Sequence, residues 1–204
     1  MIKDVFDAEW LRRGIGNTFK FFSPNTWTTI SLLLAGAAVG AVYRQRILLG
    51  LLLFVLSTLC DFIDGKVARV TGQSTPLGAF WDGTVDRFVD ALMISCFFFL
   101  PYSVRPELLH MLLFALLFTT LMPPFIVAYA NHRGAVPDPT EHVIWRFAFR
   151  AEYVVLLAAA LVIHLWSPRI SFYFLLAALV LMSATVIQSI ILVFIKSKEY
   201  SQKP

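Results

Sequence analysis

Charge is what this chain has least of. Asp, Glu, Lys and Arg together make up 15% of its 204 residues, where a soluble globular domain carries about 25%, so an ordinary water-soluble fold is excluded at the outset. Cysteine is nearly absent as well. The two thiols, Cys60 and Cys96, sit inside apolar stretches with no redox or metal-ligand spacing, which removes disulfide frameworks and zinc motifs and leaves both as small packing groups. No internal repeat or low-complexity tract breaks the chain. Met1 to Phe22 is charged and amphipathic where a secretory leader would be apolar, so no cleavable signal is expected, and no nucleic-acid partner is expected either.

What is present in excess is apolar sequence. Hydrophobic residues make up 58% of the chain and mean hydropathy is +0.74, which predicts an all-α integral membrane protein. Stretches near the ~20 residues that a spanning helix needs run over 26–43, 47–67, 77–100, 108–129, 149–166 and 172–195, giving six transmembrane helices. An even number puts both termini on one side. That side then receives Lys3, Arg12, Arg13, Lys20, Lys66, Arg69, Arg133, Arg146, Arg150, Lys196, Lys198 and Lys203, against Arg44, Arg46, Arg105 and Arg169 opposite. The imbalance predicts cytoplasmic termini. Ahead of the first span, residues 1–22 mix Val5, Trp10, Ile15 and Phe19 with basic residues, the composition of a juxtamembrane helix lying in the headgroup region. Residues 23–204 form the six-helix domain.

Against that background four aspartates stand out: Asp61, Asp64, Asp82 and Asp86. Carboxylates at membrane depth are expensive and demand a cation or a proton. Two arginines, Arg69 and Arg87, lie close by in sequence, and four acids against two arginines leave the cluster net negative, which suits a divalent metal. On helices, Asp61 and Asp64 share a face, and Gly78, Asp82 and Asp86 form one stripe. Hard oxygen ligands of this kind suit Mg²⁺ or Mn²⁺, with substrate phosphate filling the remaining positions. Gly65, Ala68 and Gly78 have almost no side chain, which leaves room for a flat ligand such as a metal-bound nucleotide.

The full frame reads Asp61-x2-Asp64-Gly65-x2-Ala68-Arg69-x8-Gly78-x3-Asp82-x3-Asp86, with 70–77 as the spacer. In this frame, and in the Pro24-Asn25 pair ahead of the first span, the chain resembles the CDP-alcohol phosphotransferases, integral membrane enzymes that make phospholipid head groups. The resemblance implies that Asp61, Asp64 and Asp82 coordinate metal, two ions of Mg²⁺ or Mn²⁺. It makes Asp86 the general base that also borders the metal, and has Asp61, Gly65, Ala68, Arg69 and Gly78 hold the CDP moiety. A CDP-linked lipid would be the donor, CMP the leaving group, and membrane lipid the surroundings, with a homodimer left open.

A second polar group lies at 129–133 and 146–152, where the fourth span ends and the fifth begins. Positive-inside anchoring accounts for part of its charge. Arg150, however, abuts an apolar run, and Arg133, Arg146 and Arg150 together suit a phosphate clamp; the resemblance implies that they surround the phosphate of a phosphorylated polyol acceptor. Inositol-phosphate-type members tend to carry Asp-Arg where glycerophosphate-type members carry Asp-Lys, and this chain reads Asp86-Arg87. Inositol phosphate is therefore the expected acceptor and glycerol 3-phosphate the alternative. From another class, an ion-coupled transporter would also use intramembrane carboxylates and the helix-breaking Pro123-Pro124, but its acids belong at the bilayer midplane rather than beside a loop. His110 and His164 are expected to serve packing or the interface.

Overall fold

The computed structural model describes residues 9–136 and 150–201, and among these every regular element is helical. Contacts divide the chain into two compact units, Met1–Leu100 and Pro101–Pro204.

The first unit holds α1 (Glu9–Phe19), α2 (Pro24–Tyr43), α3 (Ile47–Thr71) and α4 (Pro76–Ser95), followed by a 3₁₀ turn at Cys96–Phe99. Local chemistry sets the ends of these helices. Ser23 caps α2 by accepting the Thr26 N–H, with Pro24 opening the first turn, where a missing N–H costs nothing. Gly72 closes α3 at φ 68, a left-handed conformation that favours glycine, and Gln73 N–H donates to the Ala68 carbonyl at 3.0 Å. Three residues later Thr75 caps α4 by accepting the Gly78 N–H at 3.0 Å. The tight turn between the two caps brings the end of α3 and the start of α4 together.

Packing in this unit relies on small residues and hydroxyls, as expected where lipid provides no hydrophobic drive between helices. Ala35, Ala38 and Ala41 are buried on α2, and a Cβ on Gly50 of α3 would collide with Val42. Ser57 donates to the Ser31 carbonyl at 2.9 Å and shares a 3.0 Å bond with the Ser31 hydroxyl, joining α3 to α2. α1 lies against α3 through Gly16, where a Cβ would stand 2.9 Å from the Lys66 carbonyl oxygen. Trp27 ties the α1–α2 turn to the bundle: its Nε1 donates to the Phe19 carbonyl at 3.0 Å, and its ring packs with Cys60 and Val67. Cys60 and Cys96 are free and buried, as small hydrophobes should be.

The second unit holds α5 (Pro106–His132), α6 (Arg150–His164) and α7 (Pro168–Ser201), with both α5 and α6 packed on α7. Pro123 and Pro124 lie inside α5 without ending it. They remove the donors for the Thr119 and Thr120 carbonyls, which interrupts the hydrogen-bond ladder as expected, while the helix itself runs on to His132. His164 is buried with its ring against Tyr102, centroids 4.7 Å apart, and Tyr102 Oη bonds Ser171 Oγ at 2.8 Å.

Among the described residues four helices, not six, are long and apolar enough to cross a membrane: α2, α3, α5 and α7. The other two expected spans are helices but fall short for different reasons. α4 has 20 residues, but Asp82, Asp86, Arg87 and Asp90 prevent a continuous apolar stretch. The described part of α6 has 15 residues, which at 1.5 Å each is roughly 22 Å, less than the ~30 Å hydrocarbon core. Outward-facing Leu33, Leu48, Phe114, Phe118 and Val180 are all more than half exposed. Such surfaces belong in lipid, and the chain is an integral membrane protein.

Candidate active site

The site lies in the first unit, where the start of α2, the end of α3 and the start of α4 meet. Asp61 and Asp64 come from one face of α3 and Asp82 from α4, and one carboxylate oxygen from each lies within 4.8 Å of the others. Asp64 is buried, while Asp61 and Asp82 are half-buried. Like charges this close repel strongly, so the arrangement calls for a cation. Three hard oxygen donors with room left over fit a divalent ion that completes its shell with water or phosphate.

A cleft of about 270 Å³ opens beside these acids, walled by Pro24, Asn25 and Thr28 of α2, by Asp64, Gly65, Ala68 and Arg69 of α3, by the 73–75 turn, and by Gly78, Ala79 and Asp82 of α4. The two glycines have different jobs. A Cβ on Gly65 would meet nothing within 4 Å, so that wall is open for a ligand to lie on the backbone. A Cβ on Gly78 would come within 3.2 Å of Thr75 Oγ1 and 3.3 Å of Asn25 Oδ1, so this glycine chiefly lets the starts of α2 and α4 approach each other. Arg69 is exposed at the rim and brings positive charge to the cleft. The expected metal and nucleotide residues Asp61, Asp64, Gly65, Ala68, Arg69, Gly78 and Asp82 are thus brought together.

Asp86 stands one turn further along α4 and is not part of the 4.8 Å group. Its Oδ2 lies 3.5 Å from Arg87 Nη2, which is also 3.5 Å from Asp90 Oδ2. Asp90 is almost fully buried, its side chain 1% exposed. It continues the Asp82-Asp86 stripe by another i+4 step, a signal present in the sequence but masked by the apolar residues around it. Thr28 was also missed, and no local signal could have found it. Its hydroxyl donates to Asp64 Oδ2 at 2.5 Å across 36 positions of sequence.

In the second unit, Arg133 caps α5, its backbone N–H donating to the Tyr129 carbonyl at 2.9 Å, with its side chain exposed. Arg150 is the first described residue of α6 and is half-buried. Arg146 lies outside the described residues.

A three-carboxylate cluster shared by α3 and α4 beside an open cleft, in a chain with helices of spanning length, fits a membrane-embedded metal-dependent enzyme. The chain belongs to the CDP-alcohol phosphatidyltransferase family, whose profile matches residues 21–195. An archaetidylinositol phosphate synthase of Aeropyrum pernix is 32% identical over 82% of this chain and 81% of its own length. An uncharacterized protein of Aquifex aeolicus is 46% identical, over 34% of this chain and 36% of its own length. Among solved structures, the Mycobacterium tuberculosis phosphatidylinositol phosphate synthase with CDP-DAG bound superposes with a TM-score of 0.77 at 19% identity, covering 90% of this chain and 94% of that one. The same enzyme in complex with manganese and citrate gives 0.74 at 21%, covering 90% and 87%. At these identities the likeness is one of fold.

Proposed function

We propose that this enzyme transfers a lipid phosphoryl group, phosphatidyl or archaetidyl, from a CDP-linked donor to a hydroxyl of inositol phosphate and releases CMP. The observation that carries the reading is the convergence of Asp61, Asp64 and Asp82 within 4.8 Å on a cleft with a bare backbone wall at Gly65. The acceptor rests on Asp86-Arg87 and on the relative named an archaetidylinositol phosphate synthase.

Asp61, Asp64 and Asp82 would hold two ions of Mg²⁺ or Mn²⁺, with Asp86 at the edge, and the bound metal would supply charge neutralisation on the diphosphate and on departing CMP. The chain's own residues do the rest. Gly65, Ala68 and Gly78 let the nucleotide lie against helix backbone, and Arg69 binds phosphate at the rim. Asp86 takes the proton of the acceptor hydroxyl as its oxygen bonds to the lipid-bearing phosphorus, and the bond from that phosphorus to CMP breaks. Direct displacement needs no covalent enzyme intermediate, and catalysis is mostly positioning and charge. Arg133, Arg146 and Arg150 grip the acceptor's phosphate.

Counted with six helices crossing, the excess of basic residues on the side of the termini supports cytoplasmic termini and a cytoplasmic cleft. α1 belongs to the 1–22 segment at the headgroup layer, ahead of the 23–204 catalytic domain. Incubating purified protein with CDP-lipid, Mg²⁺ and a panel of alcohols tests the assignment through released CMP. Inositol phosphate should give the fastest release. Preference for glycerol 3-phosphate would overturn the acceptor while keeping the phosphate clamp, and no release with any alcohol would overturn the activity.

A further inference from the structure

The deepest of the clustered acids is held by a neighbour from another helix. Thr28, on α2, is 2% exposed and Asp64, on α3, is 5% exposed. Thr28 Oγ1 lies 2.5 Å from Asp64 Oδ2 and 3.1 Å from the Pro24 carbonyl. One hydroxyl hydrogen faces two acceptors. When Asp64 is ionised to take a metal it can only accept, and a bond to a charged carboxylate is shorter and about twice as strong as one to a neutral carbonyl. The hydrogen therefore goes to Asp64. β-branching limits Thr28 to few rotamers within a helix, one of which aims Oγ1 toward the i−4 carbonyl, so the hydroxyl is already in place.

This geometry fixes one oxygen of Asp64 on Thr28 and leaves the other to serve as a ligand beside Asp61 and Asp82. We propose that Thr28 is a positioning residue of the metal centre, orienting Asp64 and tying α2 to it. The proposal rests on the metal reading given above. It also explains why a helix carrying no metal ligand borders the cleft so closely: Thr28 and Asn25 are successive α2 contacts, the first with α3 and the second beside Gly78 of α4. Groups that orient ligands in this way typically contribute 10- to 100-fold to metal affinity.

The test is a Mn²⁺ titration of the detergent-purified protein followed by electron paramagnetic resonance, without substrate, comparing the parent with Thr28→Val, Thr28→Ser and Thr28→Ala. Circular dichroism melting serves as the control for folding. The isosteric Thr28→Val should bind Mn²⁺ about 10- to 100-fold more weakly, while Thr28→Ser, which keeps the hydroxyl, stays close to the parent. CMP release by Thr28→Val should recover as Mn²⁺ is raised, which a merely structural defect would not allow. Should Thr28→Val fail to fold, the Ser and Ala pair carries the same contrast. Equal Mn²⁺ affinity in the parent and the hydroxyl-free variants overturns the positioning role, as does a Thr28→Ser as weak as Thr28→Ala. A parent that binds no Mn²⁺ overturns the metal reading itself.

Discussion

Fully buried hydroxyls in the two halves of the chain are used differently. In the first unit they reach between helices: Thr28 to Asp64, and Ser57 to Ser31. In the second unit Thr120, Thr185 and Ser189 turn back on carbonyls of their own helices, and among the described buried hydroxyls only Ser171 crosses, to the Ala160 carbonyl at 2.8 Å. Charge follows the same division. Asp64, Lys66 and Asp90 are buried in the first unit, whereas among the described residues of the second no acid, lysine or arginine is. Interhelical polar bonds fix helix register and side-chain direction, and a site that must place several carboxylates within a few ångströms needs both. Self-bonded hydroxyls satisfy themselves and leave the packing surface apolar, which suits helices whose polar residues are kept for their ends.

The sharpest way to break this contrast is to remove a carboxylate from the first unit. Asp82→Asn should cut CMP release about a thousandfold, the loss of roughly 4 kcal/mol of charge stabilisation, while the protein stays folded. Retention of activity in chelator would sink the idea. Asp86→Asn comes next: it keeps the shape but cannot accept a proton, so transfer should fall about a hundredfold with Mn²⁺ binding intact. Equal loss of binding and transfer would move Asp86 into the metal shell.

A mutation in the second unit should show a different signature. Arg150→Ala should weaken use of the phosphorylated acceptor by about 2 kcal/mol, roughly thirtyfold, with little change in CDP-lipid affinity. Unaltered kinetics toward inositol phosphate would reduce Arg150 to a topological anchor. The smallest effect concerns stability alone. Ser57→Ala should cost about 0.6 to 1.7 kcal/mol in detergent unfolding, and Ser189→Ala close to nothing, because its bond is local. Equal costs would erase the distinction between the units.

Much of the first unit was legible in advance because its signals are short-range. Asp61 to Asp86 follow helical spacing, and the Gly72 and Thr75 ends follow capping chemistry, so the motif and its turn could be read from neighbours alone. Six apolar stretches did become helices. The count of spans failed where composition and length part company: α4 holds enough residues but spends four positions on charge, and the described part of α6 is short. Pro123-Pro124 interrupts the hydrogen-bond ladder of α5 without ending the helix, because a proline pair costs backbone hydrogen bonds while its φ stays compatible with a helix. Gly78 was read as space for a ligand, but the approach of Asn25 and Thr75 takes up part of that space. Thr28 and Asp64 are 36 residues apart, and nothing in a single sequence links a threonine on one helix to an aspartate on another.

Whether the acids of the first unit form a metal centre is decided by anomalous scattering from crystals grown with Mn²⁺. Manganese density should appear bounded by Asp61, Asp64 and Asp82, with Asp64 ligating through the oxygen that Thr28 does not hold, and none at Asp90. Manganese absent from that cluster, or bound at Asp90 and Asp86 instead, would contradict the metal centre.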